Sequence, residues 1–140
     1  MEEHARFSRR AAIAAWTATL AACSETGGES RRVSELQADP MADPGLLGMK
    51  LLSSSVTEPA TTLGKPVYAS VRNEFQVGPD EGPDLLQRAL DLALSHGWAG
   101  PPSYDTAFLA WSGSRDDPPC TLSLSLLEGR LLVRLTSREP

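Results

Sequence analysis

Two cysteines, two histidines and a scatter of carboxylates are the residues of this 140-residue chain with chemistry to offer. Cys23 closes a run of small side chains near the start, Cys120 sits in an apolar-polar alternation, and His96 follows a leucine-rich stretch. A zinc site takes three or four ligands, and one histidine with one inward cysteine does not supply them. His96 reads as a helix C-terminal residue facing the dipole. Asp116-Asp117, with Asp105 upstream, is acidic enough for calcium. It lacks the Asp-x-Asp-x-Asp-Gly spacing and reads as a solvated turn. There is no Gly-x-Ser-x-Gly elbow for a serine nucleophile and no phosphate-cradling glycine loop. Asp80, Glu81 and Asp84 would repel an anion from the helix start they flank. The residues therefore spell out no catalytic set, no metal ligand set and no cofactor.

Cys23 is different because of what precedes it. Arg6, Arg9 and Arg10 lead into Ala11–Ala22, an apolar run broken only by Thr17 and Thr19. A positive start, roughly 7–15 apolar residues and small residues before a cut make an export signal. A spanning helix needs about 20 apolar residues, and Ser24-Glu25 stops this run short. Leu20-Ala21-Ala22-Cys23 resembles the lipobox of bacterial lipoproteins: aliphatic, small, small, cysteine. The resemblance implies cleavage between Ala22 and Cys23, with diacylglycerol on the Cys23 sulfur. Two acyl chains hold a protein durably, whereas one binds marginally. Ser8-Arg9-Arg10-Ala11-Ala12-Ile13 also resembles a twin-arginine export signal, with Ala12 where that pattern prefers a bulky residue.

Of thirteen basic and eighteen acidic residues, three arginines and two glutamates lie before Cys23, leaving ten and sixteen, a net charge near −6. Such a domain has no electrostatic footprint for nucleic acid, and a lipid rather than the surface charge must hold it to a membrane. Arginine far outnumbers lysine, and alanine, glycine and proline are abundant, which resembles small actinobacterial lipoproteins.

Residues 23–45 (CSETGGESRRVSELQADPMADPG) carry only Val33, Leu36 and Met41 as strongly apolar side chains. This is the composition of a flexible tether, reaching roughly 25 Å if its 20 or so residues are unstructured. A short helix over Arg31 to Gln37 is the alternative. The folded domain is then 46–140.

Within it, Leu46 to Val56 predicts a strand or extended arm and Glu58 to Gly64 a turn. Pro66 to Val77 alternates as one half-buried strand, with Asn73 the lone polar residue on its apolar face, expected at an edge or bulge. Pro83 opens a helix, Asp84 suits its first turn, and Gly97 ends it, with Trp98 folding back. Three more strands follow over Thr106 to Ser112, Cys120 to Leu127 and Arg130 to Thr136. Glu128-Gly129 makes the last two a hairpin. Cys120 points inward with Leu122, Leu124 and Leu126.

The expected fold is α+β in two layers: one helix packed on an antiparallel sheet of four or five strands, with the other face wet. Tyr68, Arg72, Arg130 and Arg134 form a candidate interaction face on that wet side, an aromatic with arginines being the composition of binding surfaces. The expected role is a non-enzymatic, lipid-anchored binding or interaction module on the extracytoplasmic face of the cell membrane. Its partners are the membrane, through the N-terminal diacylglycerol, and another envelope protein or small ligand. A small envelope hydrolase using His96, Asp105 or Asp116 and a hydrophobic-ligand carrier are the alternatives.

Overall fold

The computed structural model describes residues 28–139. The lipobox Leu20–Cys23, the cleavage position and the export signal lie outside them. The chain runs α1 (Gly28–Gln37), two single 3-10 turns (Pro40–Ala42 and Leu46–Gly48), then β1 (Lys50–Thr57), β2 (Ala60–Thr62), β3 (Lys65–Val67) and β4 (Ser70–Gln76). After these come α2 (Gly82–Ser95), β5 (Ala110–Asp116), β6 (Pro119–Leu127) and β7 (Arg130–Ser137). Five strands form one antiparallel sheet in the order β1-β4-β7-β6-β5, and β2 and β3 pair separately. The class is α+β, as the sequence predicts.

The inner face is built from the alternating residues. Val71 and Phe75 of β4, Cys120, Leu122 and Leu124 of β6, and Leu131, Val133 and Leu135 of β7 are buried. Helix α2 answers with Leu85, Leu86, Ala89, Leu90 and Ala93. Gly97 takes φ 91°, and the Trp98 N–H returns to the Ala93 carbonyl at 3.1 Å, the ending expected of it.

One helix does not cover this sheet. Five strands about 4.8 Å apart span roughly 24 Å, and a helix with its side chains is about 10 Å wide. The remaining area is taken by the segment the sequence reads as a tether. Residues 28–37 are helical, α1 packs against β4 and β7, and Val33, Leu36, Met41, Ala42 and Leu46 join the core. The tether expectation is corrected for residues 28–45. Few apolar residues suffice because nearly all of them are spent on one surface that is already there.

Asn73 is corrected too. It lies on β4, an inner strand, opposite Ser54 and Val133, and is 2 % exposed. Its Oδ1 accepts from Ser54 Oγ at 2.6 Å and its Nδ2 donates to the Ala42 carbonyl at 3.1 Å. The amide thus fastens the first 3-10 turn to the sheet. The bulge of this hairpin is on β1, between Leu51 and Ser53.

Several boundaries move: β1 starts at Lys50 rather than Leu46, and β2 forms inside the stretch Glu58 to Gly64 expected as a turn. The strand expected over Pro66 to Val77 divides into β3 and β4 around Tyr68-Ala69. The strand expected over Thr106 to Ser112 lies four residues later, at Ala110–Asp116. Asp105 Oδ1 accepts the Ala107 and Phe108 N–H groups at 2.8 and 3.3 Å, so these residues turn instead. The strand can continue through Ser112-Gly113 because Trp111 requires it. A Cβ on Gly113 would stand 2.4 Å from the Trp111 ring, and one on Gly100 2.5 Å from it. The indole occupies the space of both missing side chains and donates to the Pro101 carbonyl at 2.7 Å.

Candidate functional site

The face of the sheet away from the helices is set by the same register that fills the core. Reading across from β1, Ser55 stands opposite Arg72, Arg72 opposite Arg134, Arg134 opposite Ser123, and Ser123 opposite Ser112. The next row is Ser53, Glu74, Leu132, Ser125 and Ala110. Two guanidinium groups are therefore direct cross-strand neighbours in a bed of hydroxyls. Like charges so placed oppose each other.

Glu74 offsets part of that repulsion. Its carboxylate takes Arg72 at 2.9 Å, Arg130 at 3.5 Å and the Ser53 hydroxyl at 3.1 Å. These are half-exposed pairs worth little individually, but they hold Arg72 and Arg130 in place. Arg134 has no carboxylate within ion-pair distance among the described residues. Of the four expected face residues, the fold brings Arg72 and Arg130 onto Glu74 and sets Arg134 beside Arg72. Tyr68 does not join them, because it lies in the link between β3 and β4, outside the five-stranded sheet.

A second polar cluster escapes sequence reading. Asp39 is 9 % exposed, and its Oδ1 accepts from the Met41 N–H at 2.9 Å and the Trp98 indole at 3.3 Å. Its Oδ2 takes Arg115 Nη1, and Arg115 Nη2 donates to the His96 carbonyl. The Arg115 guanidinium also lies 4.6 Å from the centre of the Trp98 ring. Asp39, the end of α2 and edge strand β5 are thereby locked together. The local signal was Asp39-Pro40, an N-cap followed by proline; the partners 59 and 76 residues away carried none.

The residues weighed for catalysis are dispersed. The Asp105 carboxylate is used by its own turn and Asp116 pairs with Arg138 at 2.9 Å. Asp105 bridges to Ala110 at one end of β5 and Asp116 ends the other, about 20 Å away along the strand. His96 is exposed and forms the C-cap of α2. Among the described residues no three of His, Cys, Asp and Glu converge as metal ligands. Cys120 is buried opposite Arg115 across the β5–β6 ladder, and burial pushes its thiol up while the Arg115 charge pulls the other way; burial prevails.

An open apolar cleft of about 540 Å³ lies at the far end of the sheet, between the start of α2 and the β6–β7 turn, lined by Val77, Pro79, Pro83, Leu109 and Leu126. Comparison with known protein families, curated proteins and solved structures finds no match. Among the described residues no helix is long and apolar enough to cross a membrane.

Proposed function

We propose that this protein is a lipid-anchored interaction module on the extracytoplasmic face of the cell membrane, non-enzymatic, which engages a carboxylate-bearing segment of an envelope protein through its open sheet face. The observation that carries the reading is the cross-strand pair Arg72 and Arg134, placed side by side, with Glu74 already taken by Arg72 and Arg130 and no carboxylate on Arg134 among the described residues. A carboxylate arriving from outside relieves the repulsion and gains charge-assisted, bidentate hydrogen bonds. The surrounding Ser112, Ser123 and Ser55 offer short donors that accommodate a polar chain. The anchor is supported by Leu20-Ala21-Ala22-Cys23 and the arginine-led apolar run before it.

Each half has its own test. Labelled palmitate should enter the wild type and not Cys23→Ala; equal labelling of both refutes the anchor. Titration with an oligoglutamate peptide at low salt, followed by backbone amide NMR, should shift residues around Arg72, Arg134 and Ser123. Arg72→Glu with Arg134→Glu should abolish the shifts. Shifts confined to the helical side, or none, refute the face.

A further inference from the structure

We infer that the β2–β3 hairpin is a second membrane contact, with Leu63 at its tip seated among the acyl chains beside the lipid on Cys23. This rests on the anchor reading above.

The first ground is the tip itself. Leu63 is 98 % exposed and takes φ 52°, followed by Gly64 at φ 76°. Two left-handed residues make the tight hairpin turn, where asparagine or glycine is the comfortable first residue. A leucine held there, wholly in water, gains nothing from its own fold.

The second ground is position. The β1–β4 ladder closes at Thr57 opposite Ser70, and pairing resumes at Ala60 opposite Val67. The hairpin therefore continues past the sheet. Six residues lead from Thr57 to Leu63, a reach of up to about 20 Å. The chain arrives at this same end. The Ser137 N–H donates to the Ala69 carbonyl at 2.9 Å, placing the end of β7 beside the start of β4. Glu139, just beyond, holds Arg32 of α1 at 2.9 Å. Because α1 begins at Gly28, only Ser24 to Gly27 separate it from Cys23. Fully extended, that stretch spans at most about 18 Å. Anchor and hairpin thus reach comparable distances from one end of the domain.

The third ground is composition. Val56 and Tyr68, 43 % and 38 % exposed, flank the base of the hairpin, and Lys65 follows the tip. A leucine tip with tyrosine and lysine behind it matches the layering of a bilayer interface. Phe108, also exposed, lies beside the far end of β5 and serves as the control.

The test uses the mature acylated chain on vesicles of phosphatidylcholine brominated in its acyl chains. Leu63→Trp reports the tip, and Thr62→Trp does so without the left-handed backbone; Trp98 and Trp111 are buried and give a constant background. Insertion among the acyl chains should quench the emission of the added indole in brominated vesicles relative to unbrominated ones. Phe108→Trp should be unaffected. If the protein floats with the vesicles while both tip indoles remain unquenched, the hairpin contact is overturned and the anchor stands, even where the tip can be cross-linked to a protein. If the acylated chain fails to float, the anchor falls and the hairpin contact with it.

Discussion

Asp39 is the residue on which the most separate parts of the chain converge. It caps the Pro40–Ala42 turn, accepts from Trp98 and pairs with Arg115. Asp39→Ala should cost about 2–3 kcal/mol, since it removes a cap and leaves two buried or half-buried donors unmet. Asp39→Asn keeps one accepting oxygen and should recover part of the loss; urea unfolding of the two variants measures the difference. Cys120 is the other informative residue. Buried and with its thiol pushed up, it should react slowly with a thiol reagent in the folded state. The linkage has a definite sign. The unfolded chain ionises first, so the fold's preference for the neutral thiol leaves stability untouched below about pH 8.5 and erodes it as pH rises beyond that. Cys120→Ala should lack this alkaline loss, which thermal unfolding across pH would show.

At the scale of elements, the long β1–β4 hairpin carries a conflict between stability and exposure. A left-handed leucine costs roughly 1 kcal/mol, and Leu63 has no compensating contact as a residue 98 % exposed. Leu63→Asn should raise stability by about that amount in thermal unfolding, while weakening retention on vesicles. A gain in stability with unchanged retention would leave the leucine without a membrane role. Strand β5 shows the reverse case, in which a rule-breaking residue is explained inside the fold. Gly113 lies in mid-strand because the Trp111 indole fills its side-chain space.

For the whole molecule, the consequence of α1 is a domain that starts earlier than its composition implies. Val33, Leu36 and Met41 are 5 %, 3 % and 0 % exposed. Burying such side chains contributes about 1.5–3 kcal/mol each, against a total stability of roughly 5–15 kcal/mol for a domain. A chain beginning at Leu46 should therefore lose cooperative unfolding and bind a hydrophobic dye, whereas removal of an inert tether would change neither. The same packing brings α1 to within four residues of Cys23 along the chain.

What the sequence by itself determined is periodic. The alternation through Cys120 to Leu126, the Glu128-Gly129 hairpin and the helix from Pro83 to Gly97 are local patterns, and a period of two or 3.6 fixes which side chains share a face. The arginines of the outer face were legible for that reason. Only the tertiary structure decided that Arg72 stands against Arg134, that Asp39 meets Arg115, and that a polar-looking segment covers the sheet. Those outcomes depend on strand order, register and the width of a sheet against that of a helix. Such quantities join residues far apart in the chain, and no local pattern encodes them.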